Sequence, residues 1–298
     1  MFIGEPNTGK TNILEALSLW CPECTRAVKK FFRAALPADF HWDQDLANPI
    51  ELSLDDQALY FSTGTSGTDI TYKKGERKTA NYARIENDLH MSSRGVSTIT
   101  RVYSFNESVE KNVHGDSDLS LAPPYGENIV DLLYSNKEAR LSSAQFFQGT
   151  GFRLNVDFTA KRLLLTKEVD DTLISFPYST SSETLRRMVF YHLALDTNKD
   201  QTLVLDEPEA HAFPPYTKRL AERIATDQNG NQFFLTTHSP YLLDSLLSKT
   251  PVDELNVVLC RMEDFETKAH VLNKAQIARL MEWSMDAFFN FDRLLEGE

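Results

Sequence analysis

Residues 4–11 read Gly4-Glu5-Pro6-Asn7-Thr8-Gly9-Lys10-Thr11. This octet fits the pattern G-x-x-x-x-G-K-[ST], and the pattern has meaning only where a helix follows it. Ile13, Leu14, Leu17 and Trp20 recur at helical spacing directly behind it, so residues 10–20 are predicted to be that helix. The residue types suit a phosphate cradle. The glycines Gly4 and Gly9 let backbone N–H groups curl around an anion, with Asn7 between them and Asn12 just beyond. The helix N-terminus adds partial positive charge. Lys10 is suited to pair with β- and γ-phosphates, and the Thr11 hydroxyl is suited to Mg²⁺.

Two later blocks join the octet. Residues 201–209 read Gln-Thr-Leu-Val-Leu-Asp-Glu-Pro-Glu, an apolar strand ending in carboxylates. In a phosphate-transfer site Asp206 would complete the Mg²⁺ shell and Glu207 would polarise the attacking water. Residues 233–240 read Phe-Phe-Leu-Thr-Thr-His-Ser-Pro, which puts His238 just past a second apolar strand. In an open parallel sheet both strand ends face the edge that carries the phosphate loop.

The chain outside these blocks has three textures. Residues 1–45 hold the loop and first helix. Residues 46–110 are rich in Ser, Thr and Gly with short apolar runs, predicting strands at 50–54, 58–62, 68–72 and 97–105. Residues 111–190 are mixed, with a short helix at 129–133 and strands at 152–158 and 162–166. From there strand and helix alternate: a helix over 183–195 capped by Ser181 or Ser182, a strand at 202–205, and a helix from Pro214 to about Ala225. A strand at 233–236, a helix after Pro240 and closing strands at 255–261 and 269–272 follow. Such alternation predicts a parallel sheet flanked by helices. We read residues 1–298 as a single composite domain.

Composition narrows the function classes. Of 298 residues, 41% are apolar and 25% charged, and the net charge is −12. A uniformly basic nucleic-acid coat is excluded, so any phosphate contact must be local. No apolar run reaches the ~18–20 residues of a membrane span. Met1 leads into the Gly/Lys loop and not into a signal peptide. Three cysteines make no disulfide framework. The expectation is a soluble, cytoplasmic protein without a membrane partner of its own.

The blocks Asp206-Glu207-Pro208-Glu209-Ala210-His211 and Thr237-His238-Ser239-Pro240, with Asn12 and the run Ile13-Leu14-Glu15-Ala16-Leu17 after the Lys-Thr pair, resemble those of ABC-type ATPases. The resemblance is to the OLD, RecF and SMC-like branch, within the AAA family ATPases. It implies a P-loop NTPase fold: a mostly parallel sheet flanked by helices, with an antiparallel β subdomain and a helical or mixed lobe inserted between the phosphate-site motifs. It implies that Gly4, Gly9, Lys10 and Thr11 bind ATP phosphates and Mg²⁺, and that Asp206 is the second magnesium-shell residue. Glu207 becomes the general base, and His238 contacts and senses the γ-phosphate. It further implies head-to-tail homodimerisation around two ATP molecules, with the output in an effector protein or DNA, as in repair or phage defence. The signature segment that reaches the partner's ATP in such proteins corresponds to Ser179-Thr180-Ser181-Ser182-Glu183. It keeps hydroxyls, including Ser181 and Ser182 as nucleotide contacts, but lacks the family's glycine. Ala210-His211 would lie at the dimer seam, and Gln57, Gln145 and Gln148 are all candidates for the lobe-connecting glutamine.

A second departure from the family concerns the start. Only Met1, Phe2 and Ile3 precede the phosphate loop, where a strand usually takes about 5–6 residues. Either the start is late, the chain is shortened, or the base pocket is built differently. These departures motivate the alternative of an ATP-gated interaction module with negligible hydrolysis.

Other features read as structural. Cys21-Pro22-Glu23-Cys24 lacks the second ligand pair of a zinc site. Lys29-Lys30 with Arg33, and Lys73-Lys74 with Arg77 and Lys78, read as solvated clusters, without interleaved aromatics for stacking. Arg186-Arg187 are placed to meet a phosphate or a partner. The apolar stretch 281–291 reads as a docked C-terminal helix, with a partner-binding face as the alternative. Glu263, Asp264 and Glu266 lack a following Asp-x-Asp, so no TOPRIM nuclease domain is recognised.

Overall fold

The computed structural model describes residues 1–21, 32–93, 99–107 and 120–295. Cys24, Lys29 and Lys30 lie outside the described residues, as do the side chains of Arg77, Lys78, Ser284 and Met285. The chain divides into two compact units, residues 1–14 with 103–298, and residues 15–102.

In chain order the strands and α-helices of the described residues are β1 (Phe2–Ile3), α1 (Lys10–Ser18), β2 (Ile50–Leu54), β3 (Gln57–Gly64), β4 (Gly67–Lys74), β5 (Arg77–Ile85), β6 (Met91–Ser93) and β7 (Thr100–Tyr103). Then come α2 (Ile129–Ser135), α3 (Lys137–Ala144), β8 (Arg153–Asp157), β9 (Arg162–Val169), β10 (Thr172–Pro177), α4 (Glu183–Thr197), β11 (Thr202–Leu205) and α5 (Pro214–Ala225). The chain closes with β12 (Gln232–Leu235), α6 (Pro240–Lys249), β13 (Val258–Glu263), β14 (Glu266–Val271), α7 (Lys274–Trp283) and α8 (Phe291–Leu295).

The first unit is built on parallel pairings. β11 runs parallel to β12, with Leu203 opposite Phe233 and Leu205 opposite Leu235. β1 runs parallel to β13, with Phe2 opposite Val258. A parallel bridge from Phe2 to Thr236 joins the two pairs. β14 returns antiparallel on β13, through a two-residue turn in which Asp264 and Phe265 both have positive φ, the geometry that matches strand twist. The two-residue β1 is shorter than an ordinary strand. It is nevertheless fully used: Phe2 and Ile3 are buried, and the Phe2 carbonyl accepts from the Thr237 amide at 3.2 Å.

Helix α4 runs through the middle of this core. Every residue from Met188 to Leu195 is buried, as expected of a helix that is apolar on all sides. Ser182 caps it by accepting from the Leu185 amide. α5 opens with Pro214 at a position where a missing N–H costs nothing, and buries Leu220 and Ile224. The stretch 281–291 docks inward through Ala287 and Phe291, while Phe289 points outward. A second sheet, β8-β9-β10, is an antiparallel meander.

The second unit is an antiparallel sheet in the order β2-β3-β4-β5-β6. Its core is Leu59, Phe61, Ile70, Tyr72, Tyr82 and Ile85, with Leu19, Trp20 and Phe32. The alternating burial along β4 is the period-two pattern of a sheet with one covered face. Gly67 sits at φ +131°, where a Cβ would fall 2.3 Å from the Ile85 carbonyl oxygen, so glycine is required there.

Three elements depart from the sequence-based expectation. β5 breaks its alternation at Asn81, which takes a positive φ where the pairing with β4 shifts register, as at a bulge. β10 is an exposed strand with Leu173 and Ile174 turned to solvent, so it carries no burial pattern to read. α3 has few apolar residues and is anchored instead by Asn136, which accepts from the Ala139 amide.

Candidate functional site: the edge formed by the phosphate loop, β11 and β12

Residues 4–9 form a tight loop between β1 and α1, and Lys10 and Thr11 open the helix. Gly4, Asn7 and Gly9 all take positive φ. A Cβ on Gly4 would fall 2.3 Å from the Cys260 carbonyl oxygen, and one on Gly9 only 1.9 Å from Thr267 Oγ1. Strands β13 and β14 therefore press against both glycines, so the pattern's two glycines are required by close approach as well as by φ. Lys10 is 4% exposed. Its ammonium donates to the carbonyls of Gly4 at 3.0 Å and Glu5 at 2.6 Å and to Thr8 Oγ1 at 3.3 Å. Burial lowers its pKa from the ordinary lysine value, and Glu207 and Asp206 are among the charges that oppose this.

The loops after β11 and β12 converge on the same edge. Thr11 Oγ1 donates to Asp206 Oδ1 at 3.3 Å across 195 residues of sequence. Thr236 Oγ1 donates to the same oxygen at 2.5 Å and accepts from the Glu207 amide at 3.0 Å. Glu207 stands at φ +40°, an uncommon conformation for a side-chain-bearing residue. Its Oε1 lies 3.4 Å from His238 Nε2. The two side chains are 42% and 35% exposed, so both can reach solvent or a ligand. The His238 pKa is lowered, chiefly by burial and then by Lys10, which favours the neutral imidazole.

Glu209 takes the opposite orientation. It is 6% exposed. Thr237 Oγ1 donates to its Oε1, and the His238 amide lies 3.3 Å from the same oxygen. Burial pushes its carboxyl up to about 7.

The structure thus brings Lys10, Thr11, Asp206, Glu207 and His238 together. Asn7 and Asn12 are exposed on the loop and on α1. Ser181 and Ser182 lie at the start of α4: Ser182 is occupied as its cap, and the buried Ser181 hydroxyl has no hydrogen-bond partner. Arg186 and Arg187 are largely covered, their side chains 11% and 12% exposed. Arg187 pairs with Glu183 at 2.8 Å and lies over Phe105, and Arg186 faces Glu107 at 3.6 Å. Cys21 is a buried free thiol, Arg33 pairs with Glu15, and Gln57 accepts from Tyr72. The residues not foreseen from sequence are Thr236, Thr237, Glu209 and Thr267. The hydroxyl pair immediately before His238 was the available signal for the first two.

Residues 47–244 match the family described as "AAA domain, putative AbiEii toxin, Type IV TA system". The chain belongs to this AAA-domain family. The matched segment of this family member includes Asp206, Glu207, Glu209 and His238 and begins after the phosphate loop. A comparison with curated proteins finds no match. Among solved structures, the fold is similar to an SMC head bound to the C-terminal winged-helix domain of ScpA, at 13% identity and TM-score 0.52, over 92% of this chain and 90% of that one. Two other SMC heads align at lower scores. The head from Thermotoga maritima has 12% identity and TM-score 0.42, over 91% of this chain and 89% of its own. The head from Pyrococcus furiosus, bound to the C-terminal domain of ScpA, has 11% identity and TM-score 0.46, over 94% and 92%. The family member therefore has the ABC-type P-loop ATPase fold. No described helix is long and apolar enough to cross a membrane.

Proposed function

We propose that the chain binds Mg-ATP on residues 4–11 and hydrolyses it, using the nucleotide state as a switch. The observation that carries this reading is the 3.3 Å approach of Thr11 Oγ1 to Asp206 Oδ1. These are hard oxygen donors of the kind Mg²⁺ takes, one or two from protein and the rest from phosphates and water. Thr11 and Asp206 would hold the ion, which when bound would neutralise charge on the phosphates. Lys10 and the loop amides supply the remaining positive field at the phosphates. Glu207, partly exposed and beside His238, orients and polarises the attacking water, and neutral His238 is free to donate to a γ-phosphate oxygen.

The switch reading adds a second copy of the chain, with the start of α4 reaching the nucleotide held by its partner. The start of α4, where the exposed Ser182 is the cap, supports the placement, because a helix N-terminus favours an anion. The output would lie in an effector protein or DNA. The test is ATP hydrolysis with Mg²⁺ by the parent, Lys10→Ala and Glu207→Gln, with mass followed by light scattering. Loss of turnover in both variants, with an ATP-trapped dimer only in Glu207→Gln, is the expected result. An ATP-dependent mass change without turnover in the parent would favour the interaction-module reading. Absence of both would refute the proposal.

A further inference from the structure

We propose that Glu209 is a positioning residue that holds His238 against Glu207, by bracing the loop after β12 from the loop after β11. The proposal rests on the reading of Glu207 and His238 as the groups that meet the γ-phosphate. The three carboxylates of the β11 loop lie within four residues of one another, but only Glu209 is turned away from the open edge. A carboxyl buried without partners costs several kcal/mol, and an apolar side chain would fill the same space at no such cost.

What the carboxyl supplies is an acceptor for donors on the other loop. A continuous chain of hydrogen bonds results. The Ser239 amide donates to Thr237 Oγ1 at 2.9 Å. That hydroxyl, which has a single proton to give, donates in turn to Glu209 Oε1. The His238 amide approaches the same oxygen at 3.3 Å. Ser239 is also the cap of α6, so the brace reaches from the β11 loop to the start of that helix. Thr237 is fully buried, which removes water as a competing partner. Glu209 Oε2 is buried and has no partner, so the side chain's contribution is concentrated in Oε1.

A second tie lies one residue earlier, where Thr236 joins Asp206 and the Glu207 amide. That tie fixes the β11 loop at its acidic end. The Phe2 carbonyl holds the Thr237 amide at 3.2 Å, and the His238 amide itself is met by Glu209. Glu209 is accordingly not the base: it is only 6% exposed, its Oε1 is engaged by Thr237 and the His238 amide, and it acts through the backbone of His238.

The test uses the full chain with Glu209→Ala, Glu209→Gln, Thr237→Val and the Ala/Val double variant. Two readouts are needed, exchange of the His238 amide hydrogen without nucleotide, and kcat and KM with Mg-ATP. Glu209→Ala and Thr237→Val should each speed His238 amide exchange about tenfold or more. They should lower kcat by roughly ten- to a hundredfold while KM moves less than about threefold, the pattern of a misplaced catalytic group. The double variant should fall short of the sum of the two single effects, because both single variants lose the same Thr237–Glu209 hydrogen bond. Glu209→Gln keeps an acceptor at the Oε1 position and should recover both readouts relative to Glu209→Ala. Unchanged His238 exchange in Glu209→Ala, or in Thr237→Val should the first variant not fold, would overturn the brace. So would kcat loss that Glu209→Gln fails to restore. If the parent itself does not hydrolyse ATP, the ATPase reading falls, and the exchange measurement alone then decides the brace.

Discussion

Two buried titrating groups in the first unit should give the protein opposing pH dependences that a pair of substitutions can separate. Burial raises the Glu209 carboxyl from an ordinary 4.5 to about 7. Burial lowers the His192 imidazole from 6.5 to about 4, where the ring packs edge-on against Phe146 and one nitrogen meets the Met188 carbonyl at 3.1 Å. Between about pH 4.5 and 7 the unfolded chain has lost the Glu209 proton and the folded one keeps it, so stability falls as pH rises. Between about pH 4 and 6.5 the unfolded chain carries a proton on His192 that the folded one excludes, so stability rises with pH. Each slope is ~1.4 kcal/mol per pH unit and each total is roughly 3 kcal/mol. In the parent the two contributions nearly cancel across about pH 4.5–6.5.

Glu209→Gln removes the falling component and His192→Phe the rising one. Relative to the parent, Glu209→Gln should therefore gain up to roughly 3 kcal/mol between about pH 4.5 and 7, and hold that gain above 7. His192→Phe should show the opposite trend, its advantage being greatest at about pH 4 and gone by 6.5. The assay is urea unfolding followed by circular dichroism at half-unit pH steps. Subtracting each variant's curve from the parent's cancels the contribution of every other titrating group. A difference that stays flat with pH for Glu209→Gln would refute the assignment of a buried, proton-retaining carboxyl.

Other consequences are more local. Gly9→Ala would place a Cβ against Thr267 Oγ1 in a φ +83° conformation and should destabilise the chain by about 1–3 kcal/mol. Adding Thr267→Ala should recover only the steric part, as read from thermal unfolding. On the proposed function, Lys10→Ala should weaken binding of an ATP analogue by on the order of a hundredfold in calorimetry, since the buried cation of the loop is lost. Leu220→Ala, at a fully buried position on α5, should cost about 2–5 kcal/mol in urea unfolding. The same change should leave ATP-analogue affinity within about threefold once the protein is folded, because the site lies elsewhere. Thr236→Val removes the tie between Asp206 and the Glu207 amide and should reduce Mg²⁺-dependent turnover by about tenfold or more. Turnover equal to the parent's would show that the tie is dispensable.

The sequence by itself determined the phosphate loop, the helix behind it and the acidic and histidine-bearing strand ends. Each of these depends on local chemistry: glycines where the backbone must turn, an apolar run long enough for one buried strand, a proline or serine at a helix start. Strand β11 and helix α5 coincide with their predicted bounds because buried strands and proline-started helices mark their own limits. Tertiary structure alone decided what those local signals cannot carry. β10 is exposed and β5 carries a bulge, so neither shows the periodicity that burial writes into a strand. Arg186 and Arg187 read as placed to meet a phosphate or a partner, and in the fold they face Glu107, Glu183 and Phe105, which lie up to dozens of residues away. Glu209 is chemically indistinguishable from Glu207 in sequence. Only the packing of the β11 loop against the β12 loop turns one carboxylate outward and buries the other, because the hydrogen-bond donors that make burial tolerable come from Thr237 and His238, some thirty residues further along the chain.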